Sequence, residues 1–161
     1  MYRSGIEKPK IVLIDAGVLL SSKSTREAIE ACKNSRVDER ITKCNFKLPL
    51  PISKRKKRKV VLMKFSGFVF GCPIEEIIRK AEKKGLIAPT PIDAIDFGEQ
   101  LCKIEYGIVI FLHRPIIDDS KPPYYTKSVI YVYNQELSLT ELTPNWCNYG
   151  GSDCFGFIQE I

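Results

Sequence analysis

The sequence predicts an α+β fold, in which two to three short helices pack on an antiparallel-rich sheet within a single domain spanning residues 1–161. Apolar, β-branched runs indicate strands near the start of the chain. Capping motifs followed by apolar stripes indicate helices. The rest of the chain is a series of short strand-like segments separated by Pro, Asn and Gly, and consecutive strands commonly pair with each other.

Strands are predicted where apolar and β-branched residues run together. "KIVLIDAGVLL" indicates a strand from Lys10 to Ile14 or beyond, and "VVLMKFSGFVF" indicates a second one. Later strands are predicted at "YGIVIFLH", "SVIYVYN", "LSLTELT" and "DCFGFIQEI". The earlier segment "RVDERITKCNFKLPLPIS" has no clear period, and Pro49 and Pro51 favour a loop or an edge segment there.

Capping signals locate the first two helices. Ser24 and Glu27 form a capping box that opens a helix from Thr25 to about Asn34. Pro73 is predicted to be the first helical residue of a second helix, because the missing N–H costs nothing at that position. Gly85 is expected to end this helix.

The third helix is predicted to begin within "APTPIDAIDFGEQ". Thr90 is expected to be its N-cap, Pro91 its first residue and Asp93 the capping-box carboxylate. Asp93 and Asp96 are three residues apart, so a helix would place them side by side, where they could share a proton or bind a cation. The capping role explains Asp93 without any such chemistry.

The net charge of +6 comes from one basic run, predicted to form a loop at about residues 53–59. Lys and Arg number 25 against 19 Asp and Glu, so the run alone accounts for the excess. Its six members are Lys54, Arg55, Lys56, Lys57, Arg58 and Lys59. The run could bind nucleic-acid phosphates in a salt-sensitive way, or face an acidic protein or membrane surface. Alternatively, it is a solvated loop that enters a strand at Lys59 or Val60.

Tyrosines mark a second candidate binding surface. In a strand, Tyr131 and Tyr133 share one face while Ile130 and Val132 share the other. If the Ile/Val face is the core, the tyrosines face outward and, with their amphipathic rings, suit a partner-binding surface. Alternatively, they line a second core layer. The tyrosines of this candidate surface are Tyr124, Tyr125, Tyr131 and Tyr133.

Cysteine and histidine usage excludes most metal chemistry. His113 is the only histidine, so zinc sites with two histidines are excluded, and no C-x-x-C pair is present. Cys147 and Cys154 could meet across a turn, either to form a disulfide or to build a structural zinc site with Cys72, Cys102 or His113. The default is free thiols in a reducing cytoplasm, and no cofactor is predicted.

Acid–base catalysis has one further candidate. His113 follows an apolar strand, and Asp118 and Asp119 come shortly after it and could orient the ring as a base. No nucleophile elbow or other framing motif is present, so a structural histidine is the stronger interpretation.

No segment predicts export or membrane insertion. The apolar run after "MYRSGIEKPK" is short and interrupted by Asp15, without a cleavage site. No apolar run approaches the roughly 20 residues that span a bilayer. We therefore expect a cytoplasmic location.

The segments "ITKCNF", "KKGLIAPTPIDAIDFGEQ", "YGIVIFLH" and "NWCNYGGSDCFGFIQEI" follow one another in an order that resembles a family of small, uncharacterised bacterial proteins. In that family a G-L-x-P-A-T turn precedes a short helix, and a final Trp leads into an aromatic strand. The resemblance covers roughly Arg40 to Ile161, although Ile87 and Ala88 before Pro89 and Thr90 make the turn inexact. It implies one domain and no assigned activity.

Three function classes follow from these observations. The first is a non-enzymatic binding or interaction module with a protein partner. The second is a nucleic-acid-associated protein that uses Lys54 to Lys59. The third is a small enzyme that uses His113 or the Asp93/Asp96 pair.

Overall fold

The structure, a computed structural model, describes residues 10–20, 30, 36–43, 57–66, 72–118, 126–134, 136–142, 145–146 and 153–160. The strands are β1 (Lys10–Leu19), β2 (Arg36–Val37), β3 (Arg58–Ser66), β4 (Cys72–Pro73), β5 (Ile108–Phe111), β6 (Ile116–Asp118), β7 (Thr126–Tyr133), β8 (Glu136–Glu141), β9 (Asn145–Trp146) and β10 (Cys154–Glu160). The helices are α1 (Glu39–Lys43), α2 (Ile74–Lys83) and α3 (Pro91–Gln100), followed by a 3-10 turn at Ile104–Tyr106.

The fold is α+β, dominated by strands, and its main sheet is mixed. The strand order is β1-β3-β10-β5-β7-β8-β2, with β6 paired to β7 beside this path. β10 runs parallel to β5, and β2 runs parallel to β8. The prediction of an antiparallel-rich sheet is therefore wrong. It assumed that consecutive strands pair, whereas the last strand, β10, inserts between β3 and β5 in the middle of the sheet.

The centre of the sheet is buried on both faces. On one, which we call the α3 face, the core includes Val60, Phe111 and Ile130 with Ile95 and Phe97 of α3. On the opposite face, which we call the α2 face, Ile74, Ile77 and Ala81 of α2 pack against Met63, Ile110, Val129 and Phe155. Because both faces are covered, the central strands read as continuous apolar runs rather than as alternating ones.

The α3 prediction is confirmed in detail. Thr90 is the N-cap, Pro91 is the first helical residue, and Asp93 completes the capping box. For α2, Gly85 takes the left-handed conformation after the helix, with φ of 76°. The helix begins at Ile74, one residue later than predicted, so Pro73 is its N-cap rather than its first helical residue. The helix predicted from Thr25 to Asn34 lies outside the described residues, apart from Glu30.

The segment predicted to be a loop or an edge begins with a short edge strand, β2, at the end of the main sheet, and continues into α1. Arg36 and Val37 pair with Glu136 and Leu137 of β8. Asp38 then accepts a hydrogen bond from the Arg40 amide at 2.9 Å, which satisfies an early donor of α1. Sequence periodicity missed these elements because a two-residue strand and a five-residue helix are too short to show a period.

The strands predicted at both ends of the chain are confirmed, and β1 extends beyond Ile14 to Leu19. Among the described residues, no helix has the length and apolar character that crossing a membrane requires.

Gly156 allows a close approach in the middle of the sheet. A Cβ at this position would lie 2.5 Å from the Cε1 atom of Phe111, whose ring packs against Phe97 with a centroid distance of 5.2 Å. Phe111 is fully buried, so its ring has little room to move.

We predict that Gly156→Ala lowers the free energy of unfolding by about 1–3 kcal/mol, because the added methyl group overpacks the core. Gln159→Ala, at an exposed position of the same strand, is the control and should change it by less than about 0.5 kcal/mol. Urea denaturation measures both. Equal unfolding midpoints for the two variants would contradict the close contact with Phe111.

Candidate functional site

A buried ion pair joins the start of β3 to the first turn of α3. The Nη1 atom of Arg58 lies 3.1 Å from Oδ2 and 3.3 Å from Oδ1 of Asp93. Arg58 is 9% exposed and Asp93 is 1% exposed. Since an unpaired charge at such depth would cost several kcal/mol, the burial of each residue depends on the other.

Asp93 has a second role at the same place. Its Oδ2 accepts a hydrogen bond from the Thr90 amide at 2.8 Å, and its own amide donates to Thr90 Oγ1 at 3.3 Å. The carboxylate also lies at the positive end of the α3 dipole. One side chain therefore caps the helix and neutralises Arg58. The hypothesis that Asp93 serves acid–base chemistry gains no support from this geometry.

Asp96 is as deeply buried as Asp93, with 1% of its surface exposed. It also interacts with other groups of the protein. The structure thus buries both carboxylates of the predicted pair in the protein interior, away from solvent.

His113 is buried and bonds backbone groups through both ring nitrogens. The Ile130 amide donates to Nε2 at 3.0 Å, and Nδ1 lies 2.7 Å from the Arg114 carbonyl oxygen. Because Nε2 accepts, the proton of the neutral ring lies on Nδ1 and is donated to that carbonyl. His113 is 3% exposed, so neither nitrogen faces solvent.

Burial also sets the protonation state of this ring. Desolvation lowers the pKa of His113 from its ordinary value of 6.5, although the Arg114 carbonyl and the charge of Asp93 act in the opposite direction. A neutral, fully hydrogen-bonded imidazole is typical of a structural histidine rather than of a general base. Asp119 lies outside the described residues, as does the side chain of Asp118.

The described cysteine side chains are thiols that are at least partly buried. Cys102 and Cys154 are free. Burial raises the pKa of Cys102 to about 11 and also raises that of Cys154. Within the described part of the chain, no group of His, Cys, Asp and Glu is arranged to hold a metal ion. Cys147, the predicted partner of Cys154, is not among the described residues.

The basic run is divided by the fold. Arg58 points into the core toward Asp93, and Lys59 Nζ lies 3.2 Å from Asp15 Oδ2 on β1. Lys57 is exposed and comes directly before β3. Lys54, Arg55 and Lys56 lie outside the described residues. The strand begins at Arg58, before both predicted starts, Lys59 and Val60, and the arginine side chain lies in the core.

The tyrosine surface is only partly described. Ile130 and Val132 are fully buried on the α3 face. Tyr131 points the other way, is half-buried and packs partly against the core on the α2 face. Tyr133 is 45% exposed. Tyr124 and Tyr125 lie outside the described residues, so a shared binding surface for all four tyrosines remains a prediction.

Strand β1 is a long edge that leaves apolar side chains in solvent. It lies at one end of the strand order and pairs only with β3 in the described sheet. Val12 is 48%, Leu13 43% and Val18 39% exposed. The opposite end of the sheet is β2, which has two residues and offers little backbone for pairing. Long, exposed, apolar edges are where other chains add strands.

A bulge divides this edge into two parts. The β1–β3 register is regular from Lys10 to Asp15 and shifts between Asp15 and Gly17. Asp15 Oδ1 accepts a hydrogen bond from the Gly17 amide at 3.0 Å, and Gly17 has a positive φ of 114°. The bulge is thus held by a side chain and a glycine, and the six residues before it form an uninterrupted edge.

The end of β1 is tied to α3. The amide group of Gln100 accepts from the Leu20 N–H at 2.8 Å and donates to the Leu20 carbonyl at 3.0 Å. This reciprocal pair imitates a strand pairing. It fixes the direction of the chain where β1 lies next to the beginning of β3.

Sequence reasoning found the strand but missed the edge. Consecutive apolar residues at Ile11 to Ile14 are typical of a strand buried on both faces. Only the strand order reveals that nothing described covers the outer side of β1. Lys10 and Asp15, which flank this apolar stretch, are the one local signal of an edge.

Comparisons with known proteins identify no relative: no protein family, no curated protein and no solved structure matches this chain. The resemblance drawn from the "KKGLIAPTPIDAIDFGEQ" segment therefore remains a prediction from sequence motifs.

We predict that Arg58→Met lowers the free energy of unfolding by about 3–5 kcal/mol, because it leaves the Asp93 carboxylate buried without its cation. Lys59→Met is the matched control. It removes the same charge from the next residue, whose ion pair with Asp15 is exposed, and should cost less than about 1 kcal/mol. Chemical denaturation measures both. If both variants lost the same free energy of unfolding, the Arg58–Asp93 pair would contribute no more to stability than an exposed ion pair.

The buried histidine predicts a pH dependence of stability. The folded state has the lower His113 pKa, so below about pH 6.5 the unfolded state binds one more proton and stability falls as the pH falls. Above that pH the stabilising contribution is fully present. In His113→Asn this component disappears, which should reduce the slope of unfolding free energy against pH by up to about 1.4 kcal/mol per unit. Parallel slopes for wild type and variant between about pH 5 and 6.5 would contradict the buried neutral ring.

Proposed function

We propose that this protein is a non-enzymatic interaction module that binds an extended segment of a partner protein by strand addition at the β1 edge. In this mode, main-chain hydrogen bonds to the free edge supply affinity, and side chains on alternate positions supply specificity. The observation that carries the proposal is the exposed outer edge of β1, which combines unbroken regularity over Lys10–Asp15 with apolar side chains in solvent.

The two faces of this edge support the proposal. Ile14 packs partly against the core of the α3 face and Ile11 against that of the α2 face. Because side chains alternate along a strand, Val12 lies on the α3 face and Leu13 on the α2 face. An added strand would therefore cover one exposed apolar side chain on each face of the sheet.

The interior supports a non-enzymatic function. His113 uses both ring nitrogens for backbone hydrogen bonds, and Asp93 serves Arg58 and the α3 cap. His113 and Asp93, two of the three candidates for proton transfer, therefore each have a structural explanation; Asp96, the third, is buried.

Association with nucleic acid is the second candidate, favoured by the exposed Lys57 and the three cations that precede it in sequence. Arg58 and Lys59 are engaged within the protein, so the phosphate-binding capacity of the run is smaller than its six charges indicate.

Strand addition predicts that peptides selected for binding will depend on β1. A yeast-displayed library of random peptides, about ten to twelve residues long to match the edge, would be selected on the full-length protein. The edge variant carries Val12→Gln and Leu13→Gln. We expect the selected peptides to lose at least about tenfold in affinity for this variant, equivalent to about 1.4 kcal/mol.

The matched control carries Ile87→Gln and Ile104→Gln, which replaces two exposed apolar residues, 40% and 66% exposed, that are not part of β1. It should bind the selected peptides as the wild type does. Hydrogen exchange should also slow at β1 amides when peptide is bound. Strand addition at this edge would be refuted if the selected peptides bound the edge variant and the control variant equally. It would also be refuted if the selection enriched no peptides for this protein over an unrelated protein.

A further inference from the structure

We infer that β1 pairs antiparallel with β1 of a second copy of this chain, and that the protein forms a weak, reversible dimer when no partner segment occupies the edge. The two copies are related by a two-fold axis, and Val12 of one copy lies opposite Val12 of the other. This inference goes beyond the proposed function, because a second copy and a partner segment compete for the same edge.

The two faces of the sheet restrict how two copies can pair. Val12 lies on the α3 face with Ile14, and Leu13 lies on the α2 face with Ile11. A two-fold axis perpendicular to the sheet keeps the α3 faces of both copies on the same side. Since directly opposite residues in an antiparallel pair have side chains on one face, each residue can pair only with a residue of its own face.

The bulge in β1 selects one of the registers that remain. A ladder centred on Leu13 would place Asp15, whose carboxylate holds the bulge, opposite Ile11 of the other copy. Ladders centred further along β1 include the bulge itself, and those centred before Val12 use fewer residues of the strand. A ladder centred on Val12 uses residues 10–14, over which the pairing with β3 is regular.

In this register the exposed apolar side chains of each copy have apolar neighbours. Val12, which is 48% exposed, contacts Val12 of the other copy on the α3 face. Leu13, which is 43% exposed, lies opposite Ile11 on the α2 face. Lys10 lies opposite Ile14, and the aliphatic part of its side chain covers that residue. Self-pairing thus removes apolar surface from both faces of the sheet and satisfies the outer backbone groups of both edges.

The charges at the two ends of this stretch are complementary when the copies run antiparallel. Lys10 is exposed. Asp15 of the other copy directly follows the residue opposite Lys10, so the two Cα atoms lie about 6 Å apart. The Asp15 side chain is 60% exposed, although it contacts Lys59. The attraction occurs twice by symmetry, whereas a parallel arrangement would place each charge beside its own kind.

The small size of the contact makes the dimer reversible. Stable interfaces involve about 20–30 residues on each side, whereas this ladder joins five residues, from Lys10 to Ile14. We expect a dissociation constant between about 10 μM and 1 mM. A segment that pairs with β1 more favourably can therefore displace the second copy.

The first test is sedimentation equilibrium of the full-length protein from about 10 μM to 1 mM, because dimer formation depends on concentration. The edge variant, with Val12→Gln and Leu13→Gln, should dimerise at least about tenfold more weakly than the wild type. The control variant, with Ile87→Gln and Ile104→Gln, should dimerise as the wild type does. Circular dichroism checks that both variants remain folded.

The second test concerns the direction of pairing. Lys10→Glu places a carboxylate beside Asp15 of the other copy, so it should weaken the dimer at least about fivefold at about 50 mM salt and less at about 300 mM. Lys127→Glu is the matched control, since it reverses the charge of an exposed lysine on β7. It should leave the dimer unchanged.

The third test reads the register. In a mixture of isotope-labelled and unlabelled protein, filtered nuclear magnetic resonance spectra detect contacts between copies only. We expect contacts between the methyl groups of Leu13 in one copy and Ile11 in the other. Contacts between Leu13 and Leu13 instead would overturn the register centred on Val12.

The outcomes separate self-pairing from the proposed function. A wild type that stays monomeric over the whole concentration range, or a dimer that the edge variant retains, would overturn self-pairing and leave strand addition intact. A Lys10→Glu variant that dimerises as the wild type does would overturn the antiparallel arrangement. A dimer that depends on Val12 and Leu13, in a protein for which the selection enriches no peptide, would support self-pairing and refute strand addition by other proteins.

Discussion

The arrangement of this molecule depends on the buried ion pair between Arg58 and Asp93. Arg58 is the first residue of β3, and Asp93 lies in the first turn of α3. The pair therefore fixes the helix that covers one face of the sheet to the strand that joins β1 with the centre of the sheet. Since Asp93 also caps α3, the position of the helix and the burial of the cation depend on the same carboxylate.

This pair divides the basic run between the core and the surface. A run of like charges is expected to be a solvated segment or a single electrostatic surface. Here the strand begins within the run, draws Arg58 into the core and places Lys59 beside Asp15. Lys57 stays in solvent at the end of the β1 edge.

Local features were predictable from the sequence, and long-range ones were not. The α3 cap was predicted at the residue level because Thr90, Pro91 and Asp93 signal it within four positions. The insertion of β10 beside β5 depends on residues more than forty positions apart in sequence, which no local pattern encodes. The edge position of β1 follows from the same topology. Arg58 has the same charge as its neighbours, so only the fold distinguishes its role from theirs.

The most direct test of the division of the basic run is nuclear magnetic resonance of arginine side chains in the wild-type protein. The account predicts that the Arg58 guanidinium protons exchange slowly with water and give separate Nη signals, because the group is buried against Asp93. Arg36, whose side chain is 89% exposed, supplies the internal reference and should give averaged, fast-exchanging signals. Arg58 signals that average and exchange as those of Arg36 do would contradict the structural role assigned to this residue.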